Sequence, residues 1–183
     1  MIYVFLANGF EEIEALSVVD ILRRAGIETR TVGIGSIGTV RGANGIIVDT
    51  DETDCAVDIS RVEGIVLPGG MPGAENLYES STVREIVNYC AENGKLICAI
   101  CAAPIILGRL GFLAEKEAIC YPGFEEELKG AKISEKYVCK DGNIITAKGP
   151  GAALDFAFEI VNYLKGKEKV ENLKKLMQCK ENS

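Results

Sequence analysis

Two residues combine a reactive side chain with a telling position, Cys101 and Glu14. The run from Leu96 to Ile100 is continuously apolar, Cys101 follows it, and Pro104 opens a helical stretch through Ile105, Ile106 and Leu107. A buried strand that turns into a helix within one or two residues holds its corner side chain exposed above the sheet. Ala102 and Ala103 are small enough for the close approach such a corner needs, and Pro104 loses little in a first helical turn. A helix start brings the positive end of the macrodipole, which predicts a Cys101 thiol lowered from about 8.5 toward neutrality. Free N–H groups there, with those of Gly69 and Gly70, form a candidate cradle for an oxyanion. A free cysteine is more often a small buried apolar residue; position favours the reactive reading here.

The 183 residues contain no histidine. Serine triads, cysteine-histidine dyads and imidazole metal sites are therefore excluded, and proton transfer near neutral pH must use other groups. Glu14 is the candidate. At about 100° per residue, Val18, Ile21, Leu22 and Ala25 share one helical stripe, and Glu14 falls in its middle. Glu12 projects to the opposite face with Arg23, and Glu11 complements the helix dipole from a partly solvated position. A carboxyl aimed at a core is costly when charged, so burial predicts a protonated Glu14 able to donate to a nearby thiolate. A helix phased differently would leave it solvated instead.

These residues need elements to hold them. Ile2 to Leu6 reads as a strand buried on both faces, residues 11 to 25 as a helix closed by Gly26, and Ile27 to Ile34 as a second strand. Residues 39 to 49, with Gly42 and Gly45 between β-branched stretches, read as a hairpin or as a strand entered through a turn. Ile65 to Leu67 is a short strand closed by Pro68, Gly69 and Gly70. A helix over 80–92 leads to the strand Lys95 to Ile100. Residues 135 to 147 form two strands turning at Asp141, Gly142 and Asn143, and helices at 150–164 and 168–178 finish the chain. Alternating strands and helices predict an α/β fold, a mostly parallel sheet with helices on both faces, in one domain over residues 1–183.

A net charge of −7 argues against nucleic acid and anionic membrane surfaces as partners. No run reaches the roughly 20 apolar residues of a membrane span, and the apolar start meets Glu11 and Glu12 without a basic leader. Seven cysteines, an odd number at irregular spacing, suit free thiols in a reducing cytoplasm. Cys98 makes a C-x-x-C with Cys101 but falls inside the strand; it and Cys55, Cys90, Cys120, Cys139 and Cys179 read as structural. Gly33, Gly35 and Gly38 match G-x-G-x-x-G, yet Thr39 to Gly42 do not open a helix, so no dinucleotide is expected. The Gly-rich stretch Pro68 to Gly73 lacks the lysine of a phosphate loop. Lys165, Lys167 and Lys169 read as a solvated helix face beside Glu168 and Glu171.

The motifs Gly9 to Glu14, Leu67 to Gly70, Gly73 to Leu77, Ala99 to Pro104 and Lys148 to Gly151 together resemble the DJ-one/ThiJ/PfpI superfamily, in particular its Parkinsonism-associated branch. The resemblance runs in order through nearly the whole chain. It implies a flavodoxin-like three-layer sandwich and a homodimer, with Cys101 reactive, a protonated Glu14 beside it, and the backbone N–H groups of Gly70 and Ala102 nearby. Protease-like members carry a histidine where this chain has Ala102, which argues against peptidase activity. In the closest branch a histidine often stands where this chain has Tyr121, and an anion-binding arginine of some members is replaced near Asn44. Tyr121, Gly69 and Asn44 are the expected pocket residues.

Similar proteins suggest a glyoxalase III or deglycase acting on small reactive carbonyls such as methylglyoxal, with neither metal nor organic cofactor. A second reading is an oxidant sensor or redox-regulated chaperone in which Cys101 becomes a sulfinate. A third is an interaction module with a vestigial elbow.

Overall fold

The computed structural model describes residues 1–35 and 38–180. Its elements in chain order are β1 (Ile2–Leu6), α1 (Glu12–Arg24), β2 (Thr29–Gly33), β3 (Thr39–Arg41), β4 (Ile47–Asp49), β5 (Glu52–Thr53), β6 (Gly64–Leu67), α2 (Gly73–Glu79), α3 (Ser81–Glu92), β7 (Leu96–Ile100), α4 (Pro104–Arg109), β8 (Glu117–Ala118), β9 (Lys132–Ile133), β10 (Val138–Asp141), β11 (Ile144–Ala147), α5 (Ala153–Lys165) and α6 (Lys167–Leu176). The main sheet runs β10-β11-β7-β6-β1-β2-β5. Its strands pair parallel except β10, which lies antiparallel to β11.

Period-2 alternation divides the core into two layers. Ile2, Val4 and Leu6 of β1, with Leu96, Cys98 and Ile100 of β7, pack under α1, α5 and α6. Tyr3, Phe5, Ile97 and Ala99 face the opposite layer with Leu77, Val83, Val87 and Ile106 of α2, α3 and α4. This is the three-layer arrangement that continuous apolar strands dictate, since both faces of a parallel sheet must be covered.

The hairpin stands as a separate two-stranded sheet, β3 against β4. Three pieces escape sequence reading: α2, the two-residue strand β5, and the small parallel sheet of β8 and β9. Each is too short for periodicity to register. The G-x-G-x-x-G stretch includes Ser36 and Ile37, which lie outside the described residues; a strand, not a helix, follows it at Thr39. Cys98 sits inside β7, fully buried and unpaired. Cys55 departs from its expected structural role and is exposed, and Cys179 is half-buried.

Candidate active site

β1, β6 and β7 lie side by side, so their C-terminal ends bring three loops together, the region where open α/β sheets bind ligands. Those loops carry Glu14 at the start of α1, Gly69 and Gly70 after β6, and Cys101 after β7. Cys101 holds a positive φ of 65, a conformation that non-glycine residues adopt only where their surroundings impose it. Its backbone shows how: the Cys101 N–H donates to Ala147 O at 2.9 Å, and Tyr121 N–H donates to Cys101 O at 2.8 Å. β11 and the segment after β8 thus clamp the elbow from both sides. The residue is 9% exposed.

Glu14 is fully buried among the stripe residues Val18, Ile21, Leu22 and Ala25, as the helix phase predicts. Its Oε2 accepts from the Gly69 N–H at 2.7 Å. Oε1 is buried with no partner of hydrogen-bond geometry, so a negative charge there would go unsolvated and the neutral acid is favoured. Burial pushes the Glu14 carboxyl up to about 7, against the pull of the Gly69 N–H and the Cys101 thiol. Glu11 caps α1, its carboxylate accepting from the Glu14 N–H at 2.8 Å.

The thiol corrects the expectation of a lowered pKa. Burial, then the charge and hydrogen bonding of Glu14, push Cys101 up to about 12, against the N–H groups of Gly70 and Ala102. Two physical reasons explain the difference. The elbow is buried, so the charged sulfur loses solvation, and α4, six residues long, starts only at Pro104; whenever Glu14 is ionised, its charge opposes the thiolate as well. The two groups titrate as a coupled pair: with Glu14 neutral, the Coulombic push disappears, while burial still opposes the thiolate and the two amides favour it. Gly70 and Ala102, expected as oxyanion donors, are the amides that act on the sulfur.

Glu12 is a second correction. It is buried, not solvent-facing like Arg23. Its carboxylate accepts from Asn44 N–H at 2.7 Å, Asn44 Nδ2 at 2.9 Å and Ile46 N–H at 3.4 Å. Burial raises it, but these donors outweigh burial and its pKa is lowered. Asn44, expected in the pocket, instead ties the hairpin to α1 through Glu12. No spacing rule flags such a contact, because hairpin and helix meet only in the tertiary fold.

Gly69 and Tyr121 do reach the site. A Cβ on Gly69 would lie 2.6 Å from Cys101 Cβ and 2.8 Å from Glu14 Oε2, so only glycine lets thiol and carboxyl meet. Tyr121 bonds the elbow through its backbone, and its ring stands over Gly149. Sequence reading misses Ala147, whose role is purely its carbonyl. Among the described residues no group of three or more His, Cys, Asp or Glu could hold a metal ion, and no helix is long and apolar enough to cross a membrane.

Comparison with known proteins bears on the family and the fold. Residues 1–163 match the DJ-1/PfpI family. The chain is 37% identical over 174 residues to Drosophila melanogaster protein dj-1beta, covering 94% of this chain and 93% of that one. It is 34% identical over 166 residues to the Caenorhabditis elegans protein named glutathione-independent glyoxalase DJR-1.2, covering 90% and 88%. The structure of oxidized Toxoplasma gondii DJ-1 superposes with a TM-score of 0.92 at 34% identity, covering 97% of each chain. The chain belongs to the DJ-1/PfpI family, with its flavodoxin-like fold.

Proposed function

We propose that the chain is a cofactor-independent enzyme for small reactive carbonyls, of the glyoxalase III or deglycase type, with Cys101 as nucleophile and Glu14 as its acid and base. The observation that carries this reading is the strained elbow at Cys101 beside a buried carboxyl whose pKa is about 7. A general acid-base group works best near the ambient pH, and without histidine Glu14 supplies it. The glyoxalase-named relative in Caenorhabditis elegans supports the same class.

The chemistry follows from one shared proton. With that proton on Glu14, the Cys101 sulfur adds to the aldehyde carbon of methylglyoxal. Glu14 passes the proton to the new alkoxide, completing a hemithioacetal. The Glu14 carboxylate then takes the proton from that carbon to leave an enediolate and returns it to the neighbouring carbon, while the hydroxyl proton moves to that neighbour's oxygen, leaving a lactoyl thioester. Water hydrolyses the thioester, releasing lactate and restoring the thiol. The purified protein should form lactate from methylglyoxal without glutathione; the absence of lactate above a Cys101→Ser control overturns the reading.

A second reading rests on the amides of Gly70 and Ala102 acting on the sulfur, which suit the oxygens of a Cys101 sulfinate. Mild peroxide should then add two oxygens at Cys101 alone; scattered oxidation over the seven cysteines counts against it. The working form we propose is a cytoplasmic homodimer. Ile13 and Leu16 of α1 are exposed, as are Ile46 and Ile47 of the hairpin that Glu12 ties to α1, and exposed apolar surface of this kind marks an interface.

A further inference from the structure

Next to the elbow lies a slot of about 220 Å³ walled by Tyr121, Pro122, Tyr137, Lys148, Pro150 and Ala152. Two of its three wall segments continue from the residues that clamp Cys101, and Tyr137, before β10, supplies the third. Tyr121 donates its N–H to Cys101 O, and Lys148 follows Ala147, whose carbonyl receives the Cys101 N–H. The Tyr121 ring packs over Gly149, where a Cβ would stand 3.2 Å from Cδ2. The Tyr137 ring is covered on one face by the Lys148 ammonium, 5.3 Å from its centroid, and the Tyr137 carbonyl accepts from the Lys148 N–H at 3.0 Å. The surface is therefore aromatic and aliphatic, its single ammonium resting on a ring.

We propose that this slot is the side-group pocket of the Cys101 site, and that it selects 2-oxoaldehydes carrying an aryl or bulky apolar group over methylglyoxal. This inference rests on the carbonyl reading above. The dimensions fit: a cavity of roughly 150 Å³ takes up benzene, so 220 Å³ holds a phenyl ring but not a drug-sized ligand. Two tyrosine faces offer ring stacking that a methyl group cannot use. Phenylglyoxal would enter with its ring in the slot against Tyr121 and Tyr137 and its aldehyde toward the sulfur, and would leave as mandelate after the same proton shifts and hydrolysis.

The experiment has two arms. In the first, kcat/KM for phenylglyoxal should exceed that for methylglyoxal by roughly tenfold, the size of a moderate apolar side-group preference. That ratio should fall about fivefold in Tyr137→Ala and return in Tyr137→Phe. In the second, which needs no turnover, Cys101 is alkylated with N-phenyl-iodoacetamide and with iodoacetamide, the sulfur displacing iodide in each. The ratio of the two rates, normalised to a free peptide thiol, should exceed one and drop in Tyr137→Ala. Methylglyoxal turnover with equal ratios in wild type and Tyr137→Ala overturns the pocket and leaves the carbonyl reading standing. No turnover of either aldehyde, with an alkylation ratio that still depends on Tyr137, overturns the carbonyl reading and supports the pocket.

Discussion

Glu14 carries the chemistry of this site because of where its oxygens are. One accepts from the Gly69 N–H, and the whole side chain is buried, so desolvation favours the protonated form. A carboxyl at about 7 in the folded state and near 4.3 when unfolded means that the folded protein binds more protons between those values. Stability contributed by this group is therefore complete below pH 4 and lost as pH rises through about 7, by roughly 4 kcal/mol in total. Urea unfolding at pH 5 and pH 8 should show this fall in wild type, with a clearly smaller fall in Glu14→Gln. The same proton governs the sulfur. The logarithm of the Cys101 alkylation rate against pH should bend near 7 in wild type and run without that bend in Glu14→Gln. A bend that survives the substitution assigns it to another group.

At the scale of elements, the site depends on loops that approach without side chains between them. Gly69→Ala would press a methyl against Cys101 Cβ, Glu14 Oε2 and, at 2.9 Å, the carbonyl of Ile100. Two of these neighbours are held by β7 and the elbow clamp, so the variant should lose about 1–3 kcal/mol and most of its lactate production, measured by chemical unfolding and product assay. The Glu12 contact predicts the opposite pattern. Glu12→Ala leaves the donors of Asn44 and Ile46 without their acceptor, at a cost of about 1–3 kcal/mol. Amide exchange at Asn44 and Ile46 should accelerate while alkylation of Cys101 changes little, because Glu12 holds the hairpin and Glu14 holds the thiol. Equal loss of both would show that hairpin and elbow are one cooperative unit.

The whole molecule carries net charge −7, yet its hairpin and the outer face of α1 expose Ile13, Leu16, Ile46 and Ile47. Covering that face with a second copy removes apolar area from water. Sedimentation at micromolar concentration should give a dimer for wild type and a monomer for the double variant Ile13→Lys, Ile47→Lys. A wild-type monomer, or a dimer indifferent to both lysines, moves the interface elsewhere.

Sequence by itself determines the sheet, the elbow and the buried carboxylate, because each is local: continuous apolar strands, a strand-to-helix switch at Cys101, and one acidic residue in the apolar stripe of α1. Even so, the helix phase that places Glu14 correctly misplaces Glu12. A helical wheel knows the faces of one helix and not that the hairpin folds over its first turn. Only tertiary structure decides that Asn44 serves Glu12, that Ala147 and Tyr121 clamp the elbow, and that Tyr137 joins Tyr121 in a slot. The thiol pKa belongs to the same class. A dipole at a helix start can be read from sequence, whereas desolvation and the charge of a neighbour 87 positions away in the chain act only once the loops after β1, β6 and β7 have converged. Hydrophobic periodicity is a property of a segment, and reactivity is a property of the distances between segments.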